Sequence, residues 1–76
     1  MRDTDLMTYE LWDLVGRNMI DWFEDQDEAL EAVRAYLDAD EADKVVLFVR
    51  DESGSTLLSP TGPALTEWAT RLSAAS

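Results

Sequence analysis

The chain has 76 residues, of which 17 are acidic and six are basic, so its net charge is −11 at pH 7. This balance argues against direct binding to nucleic acid or anionic lipid, which needs a patch of basic side chains, whereas the six here are scattered singly. A hydrophobic content of 46% with three tryptophans indicates a folded domain. The absence of cysteine excludes disulfide bonds and thiolate metal sites.

The first seven residues, MRDTDLM, are acidic, whereas a signal peptide begins with basic residues and continues into an apolar run. No stretch of the sequence approaches the roughly 20 apolar residues that a membrane span needs. We therefore predict a flexible N-terminus at residues 1–7, a single domain at residues 8–74, a cytoplasmic location and no membrane partner.

Two runs of aromatic and β-favouring residues, 8–15 and 19–24, flank Gly16, Arg17 and Asn18. Glycine and asparagine tolerate the positive φ of tight turns, so the pattern predicts a β-hairpin. A three-residue loop would place two pairs on one face of the hairpin, Trp12 with Trp22 and Leu14 with Ile20. It would place two more pairs on the other face, Leu11 with Phe23 and Val15 with Met19. Both faces of the hairpin would then be largely apolar.

A helix is predicted after the hairpin. Asp25 supplies an N-cap oxygen, and Glu28 lies three residues later, as in a capping box. The apolar spacing that follows predicts a helix of about 12 residues with one apolar stripe, formed by Ala29, Leu30, Ala32, Val33, Tyr36 and Leu37. Glu28, Glu31 and Asp38 would face outward. No glycine stops this helix, so its end is predicted only to fall within residues 38–43.

The second half of the chain repeats this order. Residues 44–50, KVVLFVR, form a β-favouring run typical of a strand that is central in a sheet or covered on both faces. Residues 51–55 are a polar turn, and residues 56–59 can return as a short strand. Proline suits the first turn of a helix, which we predict over residues 63–74. Its apolar face would contain Leu65, Trp68, Ala69 and Leu72, and Glu67 and Arg71 would pair on another face.

The predicted order of elements is therefore ββαββα. Neither hairpin can bury its apolar residues alone, because an isolated hairpin is marginally stable. A shared sheet covered by the helices solves this problem. We predict an α+β fold with a four-stranded, mostly antiparallel sheet and two helices packed on one face.

The commonest general base and the strongest thiol nucleophile of enzymes are both missing. The chain has no histidine and no cysteine, and it matches neither a nucleophile elbow nor a phosphate-binding or dinucleotide-binding loop. Asp13 and Asp21 could face each other across a hairpin with a three-residue loop, but we favour the interpretation that both are solvated. Residues 38–43, DADEAD, depart from a calcium-binding loop at its fifth, sixth and twelfth positions. We predict no catalytic residues, no cofactor and no metal.

The acidic residues are concentrated in one part of the sequence. Residues 21–43 contain ten carboxylates and one base, a net charge of −9, which leaves −2 for the rest of the chain. A solvated surface that aids solubility is the simpler interpretation. The functional interpretation is a docking surface for a basic protein, because surfaces of one sign steer association. Its candidate residues are Glu24, Asp27, Glu28, Glu31 and Asp38.

The hairpin offers a second candidate surface. Helices readily cover only one of its two apolar faces, and an exposed apolar strip often marks an interface. The candidate residues are Trp12, Leu14, Ile20 and Trp22, and the partner is either another protein or a second copy of the chain. Burial of this strip within the domain is the alternative.

The chain resembles a group of short, uncharacterised bacterial proteins that are common in actinobacteria-like genomes. The likeness lies in Tyr9-Glu10-Leu11-Trp12-Asp13, in Asn18-Met19-Ile20, and in Asp27-Glu28-Ala29-Leu30-Glu31-Ala32-Val33-Arg34. Those proteins open with a Tyr-Glu-x-Trp-Asp strand, a Gly-Asn turn and an Ala/Glu-rich helix. The layout of a hairpin followed by an acidic helix is also similar to that of HicB-type antitoxins, and this similarity implies an inhibitor. Neither resemblance implies a site motif.

Two functions follow from these surfaces. The first is a small non-catalytic protein-interaction module that acts through its sheet face, with a homodimer as one form. The second is an acidic inhibitor or antitoxin that neutralises a basic, nucleic-acid-binding partner. Binding that weakens steeply with ionic strength would favour the inhibitor, and salt-insensitive binding would favour the sheet face.

Overall fold

The computed structural model describes residues 7–75. The predicted flexible segment 1–7 therefore lies outside the described residues except for Met7, which is half-buried and packs against the core. The elements, in chain order, are β1 (Thr8–Asp13), β2 (Asn18–Phe23), α1 (Gln26–Asp38), β3 (Val45–Arg50), β4 (Thr56–Leu58) and α2 (Pro63–Ala75). A short 3-10 turn, Ala42–Lys44, leads into β3.

The four strands form one sheet in the order β2-β1-β3-β4, and every neighbouring pair is antiparallel. Strands β1 and β3 are central, and β2 and β4 are the edges. The central position of β3 explains its continuous apolar sequence, because a central strand is shielded by a neighbour on each side. The predicted α+β fold and its ββαββα order are confirmed.

The core lies on one face of this sheet, where both helices pack. Alternate residues of a strand point to the same face, and the core residues of the two central strands follow that rule. The core consists of Tyr9, Leu11, Val45, Leu47 and Val49 from the sheet with Ala29, Val33, Leu65 and Ala69 from the helices. Trp68 of α2 packs beside Tyr9 with ring centroids 6.5 Å apart. The prediction that both helices share one face is thus confirmed.

Helix α1 begins at the predicted cap. The carboxylate of Asp25 accepts a hydrogen bond from the N–H of Asp27 at 3.1 Å, which satisfies one of the free donors of the first turn. Within residues 7–75, no bond between the Asp25 N–H and the Glu28 carboxylate completes the capping box. The cap is therefore one-sided, and Glu28 points to solvent.

Helix α1 ends in a Schellman motif that uses an aspartate where glycine is usual. Asp40 follows the C-cap residue Ala39 and has a φ of 61°. Its N–H donates to the carbonyl of Leu37 at 3.0 Å, and the N–H of Glu41 donates to the carbonyl of Tyr36 at 2.8 Å. This pair of bonds fixes the end of the helix, which the sequence left open between residues 38 and 43.

The first hairpin has a longer loop than predicted. Strand β1 ends at Asp13 and β2 begins at Asn18, so four residues connect them. The N–H of Arg17, which has a φ of 59°, donates to the carbonyl of Asp13 at 2.7 Å and closes the loop. A four-residue loop changes which residues lie opposite each other, because loop length sets the register of a hairpin.

The predicted cross-strand pairs are wrong. The observed partners are Tyr9 with Phe23, Glu10 with Trp22, Leu11 with Asp21, Trp12 with Met19 and Asp13 with Asn18. None of the predicted pairs forms: Trp12 with Trp22, Leu14 with Ile20, Leu11 with Phe23, or Val15 with Met19. A register shift between Leu11 and Trp12 leaves Ile20 without a partner on β1, as in a β-bulge.

Candidate interaction surface

The sheet face that points away from both helices is called the open face below. Residues that lie directly opposite each other on paired strands point to the same side of the sheet. The register therefore assigns nine strand residues to the open face: Thr8, Glu10, Trp12, Met19, Trp22, Val46, Phe48, Arg50 and Thr56. Within residues 7–75, no helix packs on this face, because the core contacts of α1 and α2 are all made on the other.

The centre of the open face is aromatic. The rings of Trp12 and Phe48 meet edge to face, with centroids 6.3 Å apart and planes at 85°, a favourable arrangement for two aromatic side chains. Val46 lies opposite Trp12 and is only 7% exposed. The large side chains around Val46 thus shield it even though no helix covers this side of the sheet.

A polar network borders the aromatic centre. The carboxylate of Glu10 accepts a hydrogen bond from Trp12 Nε1 at 3.1 Å, and its other oxygen lies 3.3 Å from Arg50 Nε. This second contact is an ion pair without hydrogen-bond geometry at Nε. Arg50 Nη1 donates to Thr56 Oγ1 at 3.0 Å, and the guanidinium carbon lies 5.5 Å from the centre of the Phe48 ring. Glu10 and Arg50 are the two charged residues of the open face within the described strands, so the face is neutral.

Two apolar side chains at one side of the open face remain strongly exposed. Trp22 is 51% exposed and Met19 is 45% exposed, and both belong to the edge strand β2. An exposed tryptophan beside other aromatic residues is unusual, because tryptophan contributes a large apolar area when it is buried. The open face therefore continues as an apolar strip from Phe48 through Trp12 to Met19 and Trp22.

The structure brings together only part of the predicted sheet surface. Trp12 and Trp22 share the open face, although they are diagonal neighbours instead of direct partners. Ile20, the unpaired residue of β2, lies on the helix side, where it lines a cleft with Tyr36 and Val45. Leu14 lies in the hairpin loop, exposed, and its N–H donates to the carbonyl of Lys44 at 2.9 Å.

Several residues of the open face were not predicted from the sequence as part of this surface: Glu10, Met19, Val46, Phe48 and Arg50. A signal existed for the last three, because alternate residues of a central strand must point away from the core. The apolar run of β3 concealed that alternation. No signal identified Met19, whose side depends on the register shift in the hairpin.

The predicted acidic residues Glu24, Asp27, Glu28, Glu31 and Asp38 are all exposed, and they are called the acidic surface below. Asp27 and Glu28 lie in the first turn of α1, where the helix dipole favours negative charge. Asp38 lies in the last turn, where the dipole opposes it and no basic residue is present. Arg34, the base of this segment, donates to Ser73 Oγ of α2 at 2.9 Å. Apart from the inter-helix contact of Arg34, this side of the molecule presents carboxylates to solvent.

The carboxylates considered in the sequence as a facing pair or as a metal site are not brought together in the part of the chain that the structure describes. Asp13 lies opposite Asn18 and Asp21 lies opposite Leu11, so the two do not face each other as considered for a three-residue loop. No group of three or more acidic side chains among residues 7–75 is arranged to hold a metal ion. Asp51 accepts hydrogen bonds from the Ser53 hydroxyl and from the N–H groups of Ser53 and Ser55, which hold the pKa of its carboxyl below the ordinary value of 3.8. These bonds shape the β3–β4 turn.

The helix side carries a separate open cleft of about 350 Å³ between β4 and α2. Its apolar lining comes from Leu58, Pro60, Ala64 and Trp68, and its polar groups come from Glu67, Arg71 and the exposed Ser59. Glu67 and Arg71 form the predicted i,i+4 ion pair at 3.6 Å. The two residues are exposed and bind each other, so the cleft has no buried polar group that would orient a small ligand.

Comparison with protein-family models, with curated proteins and with solved structures yields no match to this chain. None of the helices among the described residues has the length and apolar character needed to cross a membrane. Any function must therefore be argued from the open face and the acidic surface themselves.

Proposed function

We propose that this chain is a small non-catalytic protein-interaction module that binds its partner through the open face of its sheet. The observation that carries the proposal is the exposure of Trp22 and Met19 beside the aromatic pair of Trp12 and Phe48. The face is neutral, apolar at its centre and polar at one margin, which is the composition of many protein–protein interfaces.

The energetic argument rests on Trp22. Covering its exposed half would remove on the order of 100 Å² of mostly apolar surface from water, which is worth about 2.5 kcal/mol. Few other exposed side chains among the described residues would contribute as much binding free energy when covered. Tryptophan is also among the residues that dominate measured binding energies at interfaces.

A capture experiment with two matched variants tests this proposal. Trp22→Lys removes an exposed apolar side chain of the open face and adds one positive charge. Val15→Lys makes the same kind of change in the hairpin loop, where Val15 is 77% exposed. We expect proteins captured from the native host by the unchanged chain to be retained by Val15→Lys and lost with Trp22→Lys. Capture that is equal for both variants would contradict the proposal.

A second candidate function is supported by the acidic surface. Residues 21–43 carry a net charge of −9, and the acidic side chains of α1 point to solvent. An inhibitor or antitoxin that neutralises a basic, nucleic-acid-binding protein would use such a surface, because opposite charge accelerates and orients association. If the acidic surface is the interface, we expect capture to be weakened in the double variant Glu28→Gln and Glu31→Gln. The control double variant, Glu52→Gln and Glu67→Gln, should capture the partner as the unchanged chain does. Raising the salt concentration should release the partner.

A cytoplasmic location forms part of the proposal. Fractionation of the native host, with detection of the untagged chain by an antibody, tests it. Recovery of the chain in the soluble cytoplasmic fraction supports the proposal, whereas recovery in the medium or the envelope contradicts it.

A further inference from the structure

We infer that the partner of the open face is a second copy of this chain, packed sheet against sheet about a two-fold axis. The inference rests on the proposed function, since it names the occupant of the same surface. The dimer would have four layers, with the two sheets at the centre and the helices of each copy outside. Each open face would cover the other's Trp22 and Met19.

The distribution of charge favours contact between the open faces of two copies over contact through any other part of their surfaces. Two chains of charge −11 repel each other through most of their surfaces. The open face is the exception, because Glu10 and Arg50 cancel within the described strands and four of the five residues of the acidic surface, all except Glu24, belong to α1 on the other side of the sheet. With about 10 Å for each layer, the two α1 helices of the dimer would lie about 30 Å apart, well beyond the Debye length of about 8 Å at physiological salt.

The open face is also complementary to itself. A two-fold interface brings the same patch of both copies together, so the patch must be complementary to itself in charge and in shape. Here a positive and a negative group lie side by side at 3.3 Å. Rotation about a two-fold axis can therefore set Arg50 of one copy toward Glu10 of the other, while the apolar strips of both copies meet.

The small area of the open face favours a weak dimer. Three strands of six residues and one strand of three, with about 4.8 Å between strands and about 3.3 Å per residue, span on the order of 330 Å² per copy. Two copies would bury on the order of 700 Å², which is below the roughly 1,200 Å² of stable specific complexes and is typical only of weak, transient ones. We therefore expect a dimer that forms in the micromolar range and dissociates on dilution.

Sedimentation equilibrium of the full chain from about 5 to about 500 µM tests the inference. We expect the mass to rise from the monomer value of 8.6 kDa toward twice that value. Trp22→Lys should raise the dissociation constant at least tenfold, and Val15→Lys should leave it within about twofold. Because both variants add one positive charge, a difference between them reports the open face and not the net charge. Raising the salt concentration should leave the dimer intact or strengthen it, because it screens the repulsion between the copies.

Two results would overturn the inference. One is a monomer at about 500 µM, and the other is a dimer that Trp22→Lys and Val15→Lys weaken equally. Circular dichroism of each variant establishes that it is folded, and Met19→Lys offers a second substitution on the same face. A monomeric chain whose host partner is lost only with Trp22→Lys would refute the second copy and retain the interaction module. A monomeric chain whose captured proteins ignore Trp22→Lys would refute both.

Discussion

Glu10 and Arg50 form an ion pair across β1 and β3, with 3.3 Å between Oε2 and Nε, on the sheet face that the helices leave uncovered. Their side chains are 25% and 31% exposed, so solvent screens the pair only in part. The pair also links Trp12, through its bond to Glu10, with Phe48 under the guanidinium of Arg50. It thus holds two aromatic rings of the open face in place.

We expect the Glu10–Arg50 pair to contribute modestly to stability. A double-mutant cycle with Glu10→Gln and Arg50→Met should give a coupling energy of about 0.5 to 1 kcal/mol, measured by urea denaturation. The same cycle on the exposed pair of Glu67 and Arg71 is the control and should give about 0.3 kcal/mol. Equal coupling in the two cycles would show that the partial burial of the first pair has no effect.

Replacement of Asp40 should stabilise the domain. Asp40 adopts a φ of 61° at the end of α1, and glycine adopts this conformation without steric cost. We expect Asp40→Gly to raise the free energy of unfolding by about 0.5 to 1 kcal/mol, after allowance for the greater freedom of glycine in the unfolded chain. Asp40→Asn removes the same charge and keeps the side chain. If Asn stabilises as much as Gly, the absence of a side chain in glycine is not the source of the gain.

A truncation in the core should be far more costly than one on the surface. Leu47 is fully buried in the middle of β3, between residues of both helices and of β1. Leu47→Ala should reduce the free energy of unfolding by about 3 to 5 kcal/mol, a large share of what so small a domain has. Leu57→Ala, at an exposed position of β4, should cost less than about 0.5 kcal/mol. Thermal denaturation of both variants provides the comparison.

The β3–β4 turn should make stability depend on pH. The Ser53 hydroxyl, followed by the N–H groups of Ser53 and Ser55, lowers the pKa of Asp51 in the folded chain below 3.8. The stabilisation is therefore fully present above the unfolded pKa and is lost as the pH falls through the lower folded value. The stability difference between the unchanged chain and Asp51→Asn should be constant near neutral pH and shrink below about pH 4. A difference that stays constant into strong acid would mean that the ionised carboxylate is not what the turn requires.

The sequence was sufficient for the fold because its main signals are local. The apolar stripe of α1, the proline at the start of α2 and the continuous run of β3 each predict one element, and a single sheet is the simplest way to bury them together. The end of α1 was not predictable in this way. Its stop signal is Asp40 in the left-handed region, a conformation that aspartate adopts in some contexts and glycine adopts far more often.

The sheet surface was predicted in part, for a reason that lies in the hairpin register. Between Tyr9 and Leu11, the observed pairing differs from the predicted one by two residues along β2, which preserves the side of each residue. Trp12 and Trp22 therefore share a face as predicted. Between the pairs Leu11–Asp21 and Trp12–Met19, β2 contains one more residue than β1. This extra residue reverses which face each remaining residue of β2 points to, so Met19 joins the open face and Ile20 leaves it. A bulge of this kind has no sequence signature here.

The unpaired Ile20 and the shortness of β4 both hinder the addition of further strands at the edges of the sheet. Each edge of a sheet offers free backbone groups that can recruit further strands and build fibres. At one edge the bulge at Ile20 interrupts the regular row of such groups, and at the other β4 has only three residues and is followed two positions later by Pro60. Strand addition is thus hindered on both sides. A dimer formed through the open face would use the open faces of both copies and leave none for a third. The protein would then reach high concentration without forming fibres.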